Sequence, residues 1–310
     1  MDRKRFLQIC GMAIPAAVFG FPTGLNAAEK TGKAKAAKEK FSFAFFTDVH
    51  LNRGNEGNCD EGFRTALADV KKRGVDFILF GGDNVEANYY PGPDHEHEVV
   101  DMYTRFRKIV DESGIPCHFT IGNHDTFDRF EGKEAVTGYE YFEKFCGPVR
   151  RSFNHKGVHF ITLNSLVPDK GGHFSIGEEQ MQWLKSALDS AGRDTPSIIS
   201  LHVPVLSLYY PVVEGDITAS KAMTDMISDT RQVIDLIRNY NVKLVLQGHQ
   251  HIHEEILERG QRFITGGAIC SSWWYGPLAD TQEGYVLVHV GTDNSLTWEY
   301  IDYRWEAIRK

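Results

Sequence analysis

Short apolar strands alternate with helical periodicity along the first third of this chain, and that rhythm restricts it to an α/β fold. Residues 41–46 run Phe41-Ser42-Phe43-Ala44-Phe45-Phe46, a pattern that predicts a strand buried on both faces. Phe63, Ala66, Leu67 and Val70 then recur at helical spacing. A second strand is predicted over 76–80, broken by Gly81-Gly82. A second helix follows from Val99, Tyr103, Phe106 and Val110, and a third strand over 117–121 ends at Gly122. The order βαβαβ specifies a parallel or mixed sheet covered by helices. Further strands are predicted over 158–163, 197–201, 243–246, 262–265, 285–290 and 295–300, with helices near 178–190 and 229–239. Strands dominate late in the chain, which predicts a second sheet packed on the first within one domain. We find no internal repeat and no interdomain linker.

Charge narrows the partners. The net charge is −8, yet the first 40 residues carry an excess of five positive charges, so residues 41–310 stand at −13. An acidic body repels phosphate backbones, and no stable nucleic-acid complex is expected. The basic excess has a separate origin. Arg3-Lys4-Arg5, an apolar stretch over 6–21 and small residues at Ala27-Ala28 follow the order of a bacterial export signal. Residues 1–28 are therefore read as a signal peptide, either Sec-type or, from Arg3-Lys4-Arg5-Phe6-Leu7, Tat-like. Residues 29–40 are read as a Lys/Ala-rich linker and 41–310 as the folded domain. The expected location is the periplasm, with no transmembrane span in the mature chain. Cys10 precedes the end of the apolar run, which argues against lipidation. Cys59, Cys117, Cys146 and Cys270 are scattered without CxxC spacing, so no zinc ribbon or redox motif is predicted, and they are read as small buried hydrophobes.

Polar clusters fall at the ends of the predicted strands. Asp48 and His50 follow the first strand, Gly82-Asp83 the second, and Gly122-Asn123-His124-Asp125 the third. His202 follows the strand at 197–201, and Gly248-His249-Gln250-His251 follows 243–246. Taken singly, each has a plain structural reading as a turn, a helix cap or a partly buried histidine. Together they would converge, because an α/β sheet gathers ligands outside the carboxyl ends of its strands. Imidazoles mixed with carboxylates suit Zn, Mn or Fe, whereas all-oxygen cages suit Mg or Ca. Asp48 and His50, two apart in extended chain, can reach one ion. His249 and His251 diverge from one loop and can serve two adjacent ions, and Asp83 has two oxygens with which to bridge them.

The ordered set Asp48-x-His50, Gly82-Asp83, Gly122-Asn123-His124-Asp125, His202 and Gly248-His249-x-His251 resembles the calcineurin-like metallophosphoesterase superfamily. The resemblance spans residues 48–251. It implies an α/β fold with a two-sheet β-sandwich flanked by helices, and two divalent or trivalent ions. One ion would be held by Asp48, His50, Asp83 and His251, the other by Asp83, Asn123, His202 and His249, with Asp83 bridging. It also implies a metal-dependent phosphohydrolase in which a metal-bound hydroxide attacks a small phosphate ester. Two divalent ions outweigh two aspartates and a hydroxide, so the centre attracts a phosphate inside an acidic protein. His124 would face the substrate and stabilise or protonate the leaving oxygen. Glu86 and Asp125 are competing candidates for orienting His124. Position 86 is where the purple acid phosphatase branch carries a metal-bound tyrosine, and its Glu here argues against that branch.

The resemblance is nearest to the cyclic-nucleotide phosphodiesterase type. A phosphodiesterase is the leading expectation; a phosphomonoesterase or nucleotide pyrophosphatase on the same site is the enzymatic alternative, and a metal-bound scaffold the non-catalytic one. Three aromatic loops, at 88–92, 206–211 and 271–276, either stack on a substrate ring or pack the loops themselves. His253, just past the metal loop, is read as a supporting or structural residue.

Overall fold

The computed structural model describes residues 38–131, 134–215 and 225–307. The signal peptide and all but the end of the linker read from the sequence lie outside the described residues. Strand β1 (Glu39–Phe46) pairs in parallel with β2 (Phe77–Phe80), and β2 with β3 (Cys117–Phe119). The connecting helices are α1 (Cys59–Arg73) and α2 (Glu96–Ser113). Each ends on a glycine with left-handed φ, Gly74 at 72° and Gly114 at 70°, the conformation that closes a helix without a Cβ clash.

The near-continuous apolar run of β1 has a physical reason. Its odd residues Phe41, Phe43 and Phe45 face an inter-sheet core, where Phe43 stacks on Phe77 at 5.1 Å and meets Phe160 edge-on at 5.4 Å. Its even residues Ala44 and Phe46 face the helix layer, where Phe80 meets Phe63 and Phe106. With both faces covered, Ser42 is the single small polar side chain between Phe41 and Phe46.

After a hairpin of β4 (Phe127–Glu131) and β5 (Glu134–Gly138) and helix α3 (Glu140–Cys146), the chain enters a second sheet. Its parallel strands are β7 (Val158–Thr162), β10 (Ser197–Ser200), β11 (Val242–Gln247) and β13 (Gln261–Gly266). β6 (Arg151–His155) and β12 (His253–Glu258) close its two edges antiparallel, giving the order β12-β13-β11-β10-β7-β6. The short pair β8 (Val167–Pro168) and β9 (Phe174–Ser175) leads into α4 (Gly177–Ala191), and α5 (Thr230–Ile237) precedes β11. The result is a two-sheet sandwich flanked by helices. No helix of the described residues is long and apolar enough to cross a membrane.

The late strands depart from expectation. They do not all join the second sheet: β14 (Gly284–Gly291) and β15 (Leu296–Asp302) return to the first, in the order β15-β14-β1-β2-β3. Val286, Val288 and Val290 alternate into the inter-sheet core beside β1, while Tyr285 and Leu287 pack toward the helices. β6 and β12 escaped prediction because their sequences, Arg-Ser-Phe-Asn-His and His-Glu-Glu-Ile-Leu-Glu, are those of polar, half-exposed edges. β3 stops at Phe119, two residues short of the predicted end, as the chain turns toward Gly122.

Candidate metal centre

The carboxyl ends of β1, β2, β3, β10 and β11 meet at one rim of the sandwich. Backbone bonds lock the loops together there: Asp48 N donates to Gly82 O (3.0 Å), His50 N to Asp83 O (2.9 Å) and Gly248 N to His202 O (2.9 Å). The loops approach so closely that glycine is obligatory. A Cβ on Gly122 would lie 2.1 Å from Asp83 N, and one on Gly248 2.1 Å from Thr47 Oγ1. Asp48, His50, Asp83, His249 and His251 all adopt positive φ, between 45° and 73°. Left-handed backbone at five non-glycine residues costs free energy, and such strain collects where geometry serves function.

These side chains converge. His50 Nε2 and His251 Nε2 are 3.0 Å apart. His251 Nε2 lies 3.3 Å from Asp48 Oδ1, His50 Nε2 3.6 Å from Asp83 Oδ2, and His202 Nε2 3.0 Å from Asp83 Oδ2. Three overlapping donor sets result, each with its atoms within 4.8 Å: His50–Asp83–His124, Asp83–His202–His249 and His50–His251–Cys270. Asp83 belongs to two of them. His249 also donates its backbone N–H to Asp48, at 3.1 and 3.2 Å to the two oxygens.

The donors are oriented for a cation. His202 Nδ1 donates to Gly81 O (2.9 Å) and His251 Nδ1 to Ser271 O (2.6 Å), which leaves both Nε2 lone pairs aimed inward. Asn123 Oδ1 is buried without a hydrogen-bond partner, an orphan that a cation would satisfy, and His202 Nε2 has the Asp83 carboxylate beside it. Burial opposes ionisation of Asp48 and Asp83, yet neighbouring imidazoles, His251 and His202 for Asp48 and His202 and His124 for Asp83, hold both below the usual carboxylate range. Burial likewise opposes a proton on His202, but Asp83 and Asp48 lift it to about 9. Without ions the cluster retains protons on His50, His202 and His251; a bound cation displaces them. The N/O donor set fits two adjacent transition-metal ions.

His124 sits beside this cluster, its ring 4.6 Å from that of His50 and its backbone N–H donating to Asp83 Oδ1 at 2.7 Å. Burial pushes it down to about 4. Neither expected carboxylate orients it, because His124 Nδ1 has no hydrogen-bond partner. Glu86 lies instead 3.7 Å from His50 Nδ1. Asp125 faces away: Oδ1 accepts from Asn84 N (2.9 Å) and Val85 N (3.1 Å), Oδ2 from Asn84 Nδ2 and Gly122 N (both 2.9 Å). Burial and the Asp83 charge push Asp125 up to about 7. It clamps the β2 loop to the β3 loop. Neither residue takes the orienting role expected of it: Asp125 is occupied by N–H donors of Asn84, Val85 and Gly122, and Glu86 stands beside His50.

Other contributors were invisible in the sequence. The carbonyls of Gly81 and Ser271 carry no side-chain signature. Cys270, read as a buried hydrophobe, is buried but adjoins His251 Nδ1 at 3.9 Å, and all four cysteines of the described residues are free. Asp225, 3.7 Å from His249 Nε2, had no motif to mark it. His253 Nδ1 donates to Thr265 O (3.2 Å) from a site on β12 and does not join the cluster.

The family model for calcineurin-like phosphoesterases matches residues 41–253. The chain is a calcineurin-like phosphoesterase. It is therefore a phosphoric ester hydrolase of a family that depends on a dinuclear metal centre. This phosphoesterase is 26% identical over 223 residues to a probable cyclic nucleotide phosphodiesterase of Rhodococcus erythropolis, covering 70% of this chain and 67% of that protein. It is 25% identical over 167 residues to purple acid phosphatase 23 of Arabidopsis thaliana, covering 50% of this chain and only 32% of the plant protein. A dimetal phosphatase from Danio rerio shares the fold, with a TM-score of 0.62 at 12% identity over 86% of this chain and 97% of that one.

Proposed function

We propose that this phosphoesterase is an exported phosphodiesterase acting on a small diester. The carrying observation is the charge of the cleft over the metal centre. About 500 Å³ in volume, it is lined by Asp83, Glu214 and Asp225 with histidines and aromatics, and the described lining residues include no Lys or Arg. A monoester is a dianion near neutral pH and a diester a monoanion. An acidic rim without cationic side chains penalises the second charge.

Asp48, His50, Asp83, Asn123, His202, His249 and His251 would hold two ions, with Mn, Fe or Zn favoured by the nitrogen-rich set. Such ions, when bound, supply the positive charge that binds phosphoryl oxygens and a nucleophile available near neutral pH. The remaining work belongs to side chains. Gly81 O and Ser271 O fix the tautomers of His202 and His251. Asp125 fixes the spacing of the loops that carry Asp83 and Asn123. His124 presents a ring nitrogen to the leaving oxygen.

The test is hydrolysis of bis(p-nitrophenyl) phosphate against p-nitrophenyl phosphate by residues 29–310 loaded with Mn. A chelator-sensitive preference for the diester is expected; a preference for the monoester would refute the reading. Export is tested by fractionating cells that express the full chain, with a shorter product in the periplasm as the expected result.

A further inference from the structure

Adjacent tryptophans on one turn meet opposite fates. Trp274 is fully buried; its Nε1–H donates to Val49 O at 3.0 Å, and its ring fills the space left by the missing side chain of Gly62, where a Cβ would lie 2.3 Å from the ring. Trp273 is 40% exposed and lines the cleft above the metal centre. Its ring centroid is 4.6 Å from His251 and 5.8 Å from His50. Both residues have positive φ, 48° at Trp273 and 73° at Trp274. The turn is tied by Ser272 N to Gly276 O (3.0 Å), Ser271 Oγ to Thr281 O (2.8 Å) and Leu278 N to Ser271 Oγ (2.9 Å). Since Ser271 O also receives the His251 proton, one rigid turn sets both a ligand tautomer and the position of the indole.

A large apolar ring held half-exposed by a strained, anchored backbone is not a by-product of packing. It lines a cleft that also contains Tyr209 and Tyr210. We propose that Trp273 is a stacking platform for a planar ring, of the size of a nucleobase, carried on the phosphoester bound at the metal centre. The inference deepens the diesterase reading and rests on it for where the phosphate sits. The acidic rim restricts the ligand to a single phosphate group, so the substrate class is a nucleoside phosphodiester rather than a nucleoside di- or triphosphate.

The experiment compares adenosine 5′-monophosphate, the product form of such a diester, with ribose 5-phosphate. The two share phosphate and sugar and differ only in the base. Calorimetric titration of the Mn-loaded protein should show the nucleotide binding roughly 5- to 150-fold more tightly, the range for one base on an aromatic platform. Trp273→Ala should abolish that preference and leave the ribose 5-phosphate affinity and the metal content unchanged; Trp273→Phe should retain part of it. Both ligands carry the same dianionic phosphate, so the rim weakens them equally and their ratio reports the base alone; a ratio of one in the wild type overturns the proposal. So does an equal loss for both ligands in Trp273→Ala, which would make the indole a wall that holds His251. A wild type that prefers the nucleotide yet cleaves no diester leaves the platform standing and refutes the diesterase reading instead.

Discussion

Replacing Asp125 by Asn separates a structural carboxylate from a catalytic one. The wild-type side chain accepts four N–H bonds in a fully buried site, two on each oxygen. In Asp125→Asn, the remaining oxygen can keep Asn84 N and Val85 N. The new amide then faces Asn84 Nδ2 and Gly122 N. Asn84 can turn its amide, because its Oδ1 is buried and unpartnered, although this sacrifices the 3.3 Å bond to Thr120 O. Gly122 N is left orphaned whichever way Asn84 turns. One orphaned buried donor costs about 1–3 kcal/mol, and exchanging charged for neutral acceptors adds to it. Relief of repulsion from Asp83, the same repulsion that helps raise Asp125, offsets part of the cost. The expected loss is about 2–3 kcal/mol, against about 4–5 kcal/mol for Asp125→Ala, which strands all four donors. For a domain of this size, the Asn variant should melt roughly 4–10 °C lower. Urea unfolding of the metal-loaded protein measures the loss, and kcat on a diester at a temperature where the variant is folded measures the role. Unchanged stability with a hundredfold loss of kcat would refute the clamp and restore Asp125 as a partner of His124.

His124→Ala should lower kcat by roughly 10²–10⁴-fold while the protein keeps its full complement of metal, measured by atomic emission; turnover at the wild-type rate would remove His124 from the mechanism. Gly122→Ala places a Cβ 2.1 Å from Asp83 N, so the variant should bind metal substoichiometrically even when folded, and full loading would show that the loops can spread. His118 stacks on Phe153 at 3.6 Å, and burial, assisted by Arg151, pushes it down to about 4 from 6.5. Its folded form favours the neutral ring, so stability present above pH 6.5 is lost as pH falls toward 4. The urea midpoint should fall less between pH 7.5 and pH 5 in His118→Phe than in the wild type, and an equal fall would acquit His118.

The parts of the fold legible in the sequence were those where one physical demand dominates. β1, β2, β7, β10 and β11 lie in sheets covered on both sides, so their apolar runs advertise them. β6 and β12 lie at edges, where half the side chains meet solvent and composition resembles loop. The return of β14 and β15 to the first sheet is a choice between two equally apolar partners, and only three-dimensional packing decides it. The site shows the same division. The seven candidate ligands were visible because metal chemistry requires His, Asp and Asn at strand ends. The tautomer-fixing carbonyls of Gly81 and Ser271 are backbone atoms with no residue preference. Glu86 and Asp125 are near His124 in sequence, but in space Asp125 is taken by nearer N–H donors and Glu86 stands beside His50.

The charge distribution makes substrate binding conditional on the metals. Residues 41–310 are strongly acidic, the described cleft lining adds Glu214 and Asp225, and that lining includes no Lys or Arg. An anionic ester approaching the metal-free protein meets two buried carboxylates compensated only by protonated imidazoles. Those protons hold the acids below their usual range, and most of their positive charge is neutralised within the cluster. Two ions bring more charge than Asp48 and Asp83 can neutralise and displace the protons, which strengthens the site's pull on an anion. Affinity for a phosphate ester should therefore rise steeply with metal loading. The rim then acts as a filter on the anion admitted: one negative charge is matched by the surplus of the centre, and each further charge must be accommodated beside carboxylates. On this arrangement the diester preference and the metal requirement have one electrostatic origin.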